Sequence, residues 1–132
     1  MRLQAPFLSL SLMSPYFAMV QSGRKTVEGR IRKPEFQALK VNDIIRFKTH
    51  LGASKKESFV DVGVTYLHFY TTFQEMLEKE GLHRCLPDVA SIQEGVKIYH
   101  SFAHYKEKEL SHGILAIGIQ HIKKSEVLYG GK

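Results

Sequence analysis

Between Phe59 and Phe69 the chain reads Phe-Val-Asp-Val-Gly-Val-Thr-Tyr-Leu-His-Phe, and no other stretch restricts the fold as strongly. Val60, Val62, Val64 and Tyr66 fall on one face, and Phe59, Asp61, Gly63, Thr65 and Leu67 on the other. A period of two built on β-branched residues is the pattern of a long strand with one buried face. Its backbone donors and acceptors need partners along the whole run, so other strands must lie beside it. The chain supplies them. Leu8, Leu10 and Leu12 alternate with Ser9 and Ser11, and Thr26, Val27 and Ile31 favour an extended Lys25–Arg32 segment. After the turn-forming pair Asn42-Asp43, the segment Ile44–Thr49 sets Ile45 and Phe47 on one face. The polar, basic stretch Gly52–Glu57 reads as a hairpin loop or a small flexible excursion. Ile114–Ile122 places Ile114, Ala116, Gly118 and Gln120 opposite Leu115, Ile117, Ile119 and His121.

Helical signals fall between these strands. Ser14-Pro15 reads as a helix start, serine as N-cap and proline in the first turn, with Gly23 as the stop. Thr72 with Glu75, and Ser91 with Glu94, are spaced as capping boxes. The first opens a helix with Phe73, Met76 and Leu77 as its apolar stripe and Gly81 as its end. The second carries Val96, Tyr99 and Phe102 and is expected to run to about Lys106. The order is not a strict βαβ alternation. It predicts an α+β domain, a mixed or antiparallel sheet of about five to six strands curled into a barrel and flanked by two to three helices. Residues 1–122 make one domain, and 123–132, without apolar periodicity, read as a flexible tail.

Composition narrows the setting. Cys85 is the single cysteine, so an internal disulfide is excluded and a reducing, intracellular location, cytoplasmic or nuclear, is expected. With no histidine or acid beside it in a nucleophile motif, Cys85 reads as a small buried hydrophobe. Ser9, Ser11, Ser14 and Pro15 interrupt the apolar N-terminal stretch, which is therefore neither a signal-peptide core nor a membrane span, and no membrane partner is expected. Nineteen Lys and Arg against thirteen Asp and Glu give a net charge of +6, which favours a polyanionic partner, nucleic acid first among them.

Chemistry concentrates in Gly23-Arg24-Lys25-Thr26-Val27-Glu28-Gly29-Arg30. Strand alternation sets Thr26, Glu28 and Arg30 on one face and Val27, Gly29 and Ile31 on the other. Lys25, at the junction with the first helix, can lean toward the charged side. A carboxylate between two cations suits a pocket wall that accepts from an amine edge while countering a phosphate or carboxylate. Gly23 and Gly29 permit a tight turn and close approach of a ligand. A desolvated Lys25 beside Arg24 and Arg30 would serve as an amine nucleophile or base. Spacing alone favours a plainer arrangement, a surface strand on which Glu28 and Arg30 form an exposed ion pair.

Other candidates carry less. Glu75, Glu78 and Glu80 read as a solvated helix face. His100 and His104, four apart, could share a face toward a divalent ion, but no third ligand stands at metal-site spacing, and they read as surface or packed histidines. Tyr66, Phe69, Tyr70, Tyr99, Phe102 and Tyr105 read as core or pocket wall, and one or two exposed near the basic strip would stack a base.

The octapeptide also reads G-x-K-x-x-E-x-R, and in this it resembles the signature of ASCH domains. Pro15-Tyr16-Phe17 before it agrees. So does Leu39–Phe47 after it, similar to the family's hydrophobic-x-x-Gly-Asp-x-hydrophobic-x-Phe strand entry with Asn42 in place of the usual glycine. Tyr70–Leu77, Pro87 and Glu94–Tyr99 with the closing strand also resemble stand-alone ASCH proteins, so the likeness covers almost the whole chain. The resemblance implies a β-barrel related to the PUA fold, with the signature residues lining a cleft beside it, and RNA binding as proposed for the family. It further implies two enzymatic alternatives. One is hydrolysis of the acyl amide of acetylated cytidine by a lysine, a threonine three residues later and a distant glutamate. Lys25 matches, but three residues on stands Glu28, and Thr26 is displaced; the distant acid would be Glu78 or Glu80. The other is metal-dependent cleavage of single-stranded RNA.

The expected function is binding of RNA or a modified nucleoside in a cleft whose ligand-binding residues are Lys25, Thr26, Glu28 and Arg30. Arg24, Arg32, Lys33, Lys55 and Lys56 are expected to attract the RNA backbone. Under the enzymatic alternatives Lys25 and Glu28 would be catalytic. No cofactor is expected except a divalent metal under the ribonuclease alternative, and no residue is assigned as a metal ligand.

Overall fold

The computed structural model describes residues 4–51 and 56–122. Lys55, most of the 52–57 connection and the expected tail at 123–132 lie outside the described residues. Five strands form one sheet: β1 (Leu8–Ser11), β2 (Val27–Ile31), β3 (Ile44–Leu51), β4 (Lys56–Tyr70) and β5 (Ile114–His121). Their order is β1-β3-β4-β5-β2, with β1 parallel to β3 and the other neighbours antiparallel. The sheet curls into a half-barrel whose free edges are β1 and β2. This is the α+β, PUA-like architecture expected from the alternation. Asn42 enters β3 at φ 79°, the left-handed turn conformation that asparagine tolerates in place of glycine.

Two cores lie on the two faces of the sheet. Inside the half-barrel, Leu10, Phe47, Val62 and Ile117 pack with Phe17 and Val20 of α1 (Ser14–Gln21). On the outer face, Val27, Ile31, Ile114 and Ala116 pack against α2 (Phe73–Glu80), α3 (Leu82–Cys85) and α4 (Ile92–His100) through Phe73, Met76, Leu77, Cys85 and Tyr99. β5 serves both cores with alternate residues, as its pattern predicts. Burying each of the larger side chains here is worth about 1.5–3 kcal/mol, which explains why a domain without disulfides holds together.

The alternation in β4 holds only as far as Val64. A bulge at Thr65 shifts the register, so that Val64 pairs with Ile119 but Tyr66 with Gly118. Tyr66 therefore leaves the face of the valines and packs with the outer core, while Leu67 joins the inner one. Gly118 is the residue that permits this, since a Cβ there would stand 2.4 Å from the Tyr66 ring. The bulge also overturns the reading of Glu80 as solvated. Tyr66 and Tyr70 hydroxyls each donate to its carboxylate at 2.6 Å, and His68 Nδ1 lies 2.6 Å away, all three arriving from the shifted end of β4.

The helices depart from expectation at their ends. Met13, not Ser14, is the N-cap of α1, because Ser14 and Pro15 both lie within the first turn. The two capping boxes form, with Thr72 Oγ1 accepting from the Glu75 N–H at 3.1 Å and Ser91 Oγ from the Glu94 N–H at 3.2 Å. The helix expected to reach Lys106 stops at His100; the chain turns through His104 at φ 66° and restarts as α5 (Tyr105–His112). Buried Glu109 pins α5 in place by accepting from the Phe73 N–H at the start of α2 (2.6 Å) and lying 2.9 Å from His100 Nε2. Five α-helices thus stand among the described residues.

Candidate functional site

Glu28 and Arg30 on β2 pair across the ladder with Ile117 and Leu115, so their side chains take the interior face at the free edge of the half-barrel. Lys25 arrives from the α1–β2 junction, where Gly23 at φ 83° turns the chain. Lys25 is 3% exposed and Glu28 5%, which replaces the exposed ion pair with a buried charge cluster. Glu28 Oε1 lies 3.2 Å from Lys25 Nζ, and Oε2 accepts from Arg30 Nε at 2.6 Å. Lys25 Nζ also donates to the Val27 carbonyl (2.8 Å) and the Cys85 carbonyl (2.5 Å), so three oxygens surround it. Arg30 Nη2 donates to the Ser11 carbonyl at 2.8 Å and so crosses from one free edge of the sheet to the other.

The cluster keeps one positive charge in excess in a place with little water to screen it. Burial pushes the Glu28 carboxyl up, yet Arg30 and Lys25 outweigh burial and hold it below the usual carboxylate range. Burial likewise works against the Arg30 cation, and Glu28 more than restores it. Removing either cation would leave the buried Glu28 carboxylate with a single cationic partner, a costly loss inside the protein.

A cleft of about 170 Å³ opens beside the cluster, between the Ser11–Met13 end of β1 with Tyr16 on one side and Leu86, Tyr99, Phe102 and Tyr105 on the other. The aromatic wall is rigid. Phe73 stacks between Tyr99 (centroids 4.3 Å apart) and Tyr105 (5.7 Å), and Phe102 meets both tyrosines edge-on. The break between α4 and α5 brings Tyr105 to Arg30. Burial raises the tyrosine hydroxyls: Tyr16, with a further push from Glu28, Tyr105, and Tyr99 furthest of all. All three are neutral phenols able to donate. Tyr99 Oη is buried without a hydrogen-bond partner among the described residues. The sequence places Tyr99 on the apolar stripe of its helix as core or pocket wall, and no local pattern marks its hydroxyl as unpaired.

Other expected site residues scatter. Thr26 stands outside the cleft: its backbone N–H donates to the Arg84 carbonyl, its own carbonyl accepts from Ile119, and it lines a separate hollow beside Gly23 and His121. Alternation misplaces it because β2 begins only at Val27 and the inward Lys25 takes that end of the face. Arg24 is ion-paired with Asp88 on the surface. Arg32 and Lys33 line a second groove together with Phe69. Lys56 opens β4. Gly29 is fixed by close approach, since a Cβ there would lie 2.7 Å from Met76 Cε and 3.1 Å from Tyr99 Oη. Among the described residues no three His, Cys, Asp or Glu side chains gather to hold a metal ion; His100 is engaged with Glu109, and exposed His104 lies near Glu107.

Residues 10–123 match the family model of the ASCH domain. The chain belongs to the ASCH domain family. The fold agrees with solved structures. The chain is 36% identical to hypothetical protein PH0355, with a TM-score of 0.75 over 87% of this chain and 98% of that one. It is 33% identical to PF0455 from Pyrococcus furiosus, with a TM-score of 0.68 over 88% and 97%. A point mutant of ZmASCH from Zymomonas mobilis, at 17% identity, aligns with a TM-score of 0.54 over 87% of this chain and 70% of that one, a likeness of fold. No curated protein matches the chain. Among the described residues, no helix of this ASCH domain is long and apolar enough to cross a membrane.

Proposed function

We propose that the cleft binds a single nucleobase or modified base, presented by RNA or as a free nucleoside. The observation that carries this reading is the buried Lys25–Glu28–Arg30 cluster opening onto a small aromatic-walled cleft with one uncompensated positive charge. The volume suits one planar heterocycle, since cavities of about 150 Å³ admit an aromatic ring. Tyr99 Oη and the free lone pairs of Glu28 supply a donor and an acceptor for a base edge. Arg30 offers its remaining N–H groups to a carbonyl or phosphate. The family's proposed RNA binding and the net charge of +6 point the same way.

The hydrolytic alternative needs Lys25 as nucleophile. Its Nζ is held by Glu28 and two carbonyls, so turnover would first require those three bonds to open. The ribonuclease alternative lacks a ligand cluster among the described residues. Calorimetric titration with nucleosides, mononucleotides and short RNAs tests binding, and acetate release from acetylated cytidine tests hydrolysis. Binding is expected to weaken by about tenfold in Arg30→Lys and in Phe102→Ala. Unchanged affinity in both folded variants would overturn the cleft reading, and acetate release abolished by Lys25→Ala would replace it with the hydrolytic one.

A further inference from the structure

We infer that a second groove, continuous with the cleft, carries the nucleotides that flank the base held there, so that the ligand is a single-stranded RNA segment. This rests on the cleft reading and extends it. Arg30 and Tyr105 line both the cleft and a small neighbouring hollow that also contains Lys33 and Phe36. Lys33 and Phe36 in turn line a larger groove of about 390 Å³ with Arg32, Phe69 and His112. Three depressions therefore join end to end through shared side chains. Arg30, Arg32 and Lys33 stand within four residues, across a tight turn in which the Lys33 N–H donates to the Ile31 carbonyl at 2.8 Å, and so set three cations along the joined depressions.

The groove has the chemistry of a stacking platform. Phe69 is 58% exposed, because it continues the interior face of β4 beyond the end of the core. The Arg32 guanidinium lies 4.3 Å from its ring centroid and fixes one face of that surface. No acidic side chain lines the larger groove, Glu35 lines the connecting hollow, and neither Arg32 nor Lys33 has an ion-pair partner among the described residues. An exposed aromatic ring beside unpaired cations recognises the two repeating parts of a single strand, the π-face of a base and the phosphate. A duplex is a poor occupant, since its bases are stacked and paired and cannot enter the cleft at the other end.

The test compares adenosine, cytidine and uridine monophosphates with the matching homohexanucleotides on the full chain. At least one hexanucleotide is expected to bind about tenfold or more tighter than its mononucleotide. Phe69→Ala and Lys33→Ala should each remove most of that gain and leave mononucleotide affinity unchanged, and Lys33→Ala should reduce the logarithmic salt slope by about 0.7. Both positions lack a core role, so an unchanged melting temperature confirms that the variants are folded. Equal affinity for every mononucleotide and hexanucleotide would overturn the inference. So would equal losses for both lengths in Phe69→Ala, no hexanucleotide binding at all, or displacement of a hexanucleotide by a polyglutamate peptide at equal charge concentration. Hexanucleotide binding that depends on Phe69, with no mononucleotide binding, would uphold the groove and remove the cleft reading.

Discussion

Arg30 on β2 donates to the Ser11 carbonyl on β1 at 2.8 Å, joining the two free edges of the half-barrel. One guanidinium serves Glu28 and the seam together, its planar fork holding the two bonds in fixed directions from separate nitrogens. Arg30→Lys keeps the charge and is expected to lower the thermal midpoint by several degrees, a loss of about 1–3 kcal/mol. Arg30→Ala should cost more, about 3–5 kcal/mol, by leaving Glu28 a single cation. If Arg30→Lys melts like the wild type, the bond to Ser11 does not hold the seam.

Glu28 gives the fold an acid limb of known sign. Its folded carboxyl lies below the ordinary carboxylate value, despite burial, because Arg30 and Lys25 favour the anion. The unfolded chain therefore takes up this proton more readily than the folded one. The stabilisation is fully present above the unfolded value and is lost as pH falls through the lowered folded value. Glu80, also held low against burial by Tyr66, Tyr70 and His68, adds to the same limb. Urea unfolding from neutral to strongly acid pH should show a steep loss in the wild type and a shallower one in Glu28→Gln, which starts about 3–5 kcal/mol less stable at neutral pH. Parallel acid limbs in the two proteins would contradict this.

Much of this architecture was legible because it depends on local period. The alternation of β1, β3, β5 and the first part of β4, the caps at Thr72 and Ser91, and the turn at Asn42 each follow from a few adjacent residues. The octapeptide revealed the family, and with it a cleft in which Lys25, Glu28 and Arg30 do meet. What stayed hidden depends on partners distant in the chain. The bulge at Thr65 is settled by the fit of Tyr66 over Gly118, and the break after His100 by the packing of Tyr105 on Phe73; neither carries a proline or glycine at the break itself. Glu80 and Tyr99 took on their polar roles only through those two events.

Gly29 tests whether the helical layer sets the depth of the cleft. An added Cβ would meet Met76 Cε at 2.7 Å and Sδ at 2.9 Å, with Tyr99 Oη at 3.1 Å. Met76 is fully buried and has little room to retreat. Gly29→Ala is expected to destabilise the domain by about 1–3 kcal/mol, as overpacking does, and to shift Tyr99 toward the cleft. Chemical denaturation measures the first effect and the Tyr99 ring resonances the second. The smaller contact predicts that Met76→Ala in the same chain recovers part of the binding geometry while adding a cavity penalty of its own.

Tyr99→Phe separates function from stability most cleanly. The hydroxyl has no partner among the described residues, and it is buried, so its desolvation is unrepaid in the free protein. Deleting one oxygen leaves the stack on Phe73 and the edge-on contact with Phe102 in place. The variant is therefore expected to be as stable as the wild type or more so, by up to about 1–2 kcal/mol. If the hydroxyl is kept for a ligand acceptor, affinity should fall by about tenfold, since a neutral hydrogen bond in a closed site is worth about 0.5–1.5 kcal/mol or somewhat more. A residue that served packing alone would show the opposite pattern, lower stability and unchanged affinity. Thermal unfolding and calorimetric titration on one preparation decide between the two, because the outcomes differ in sign.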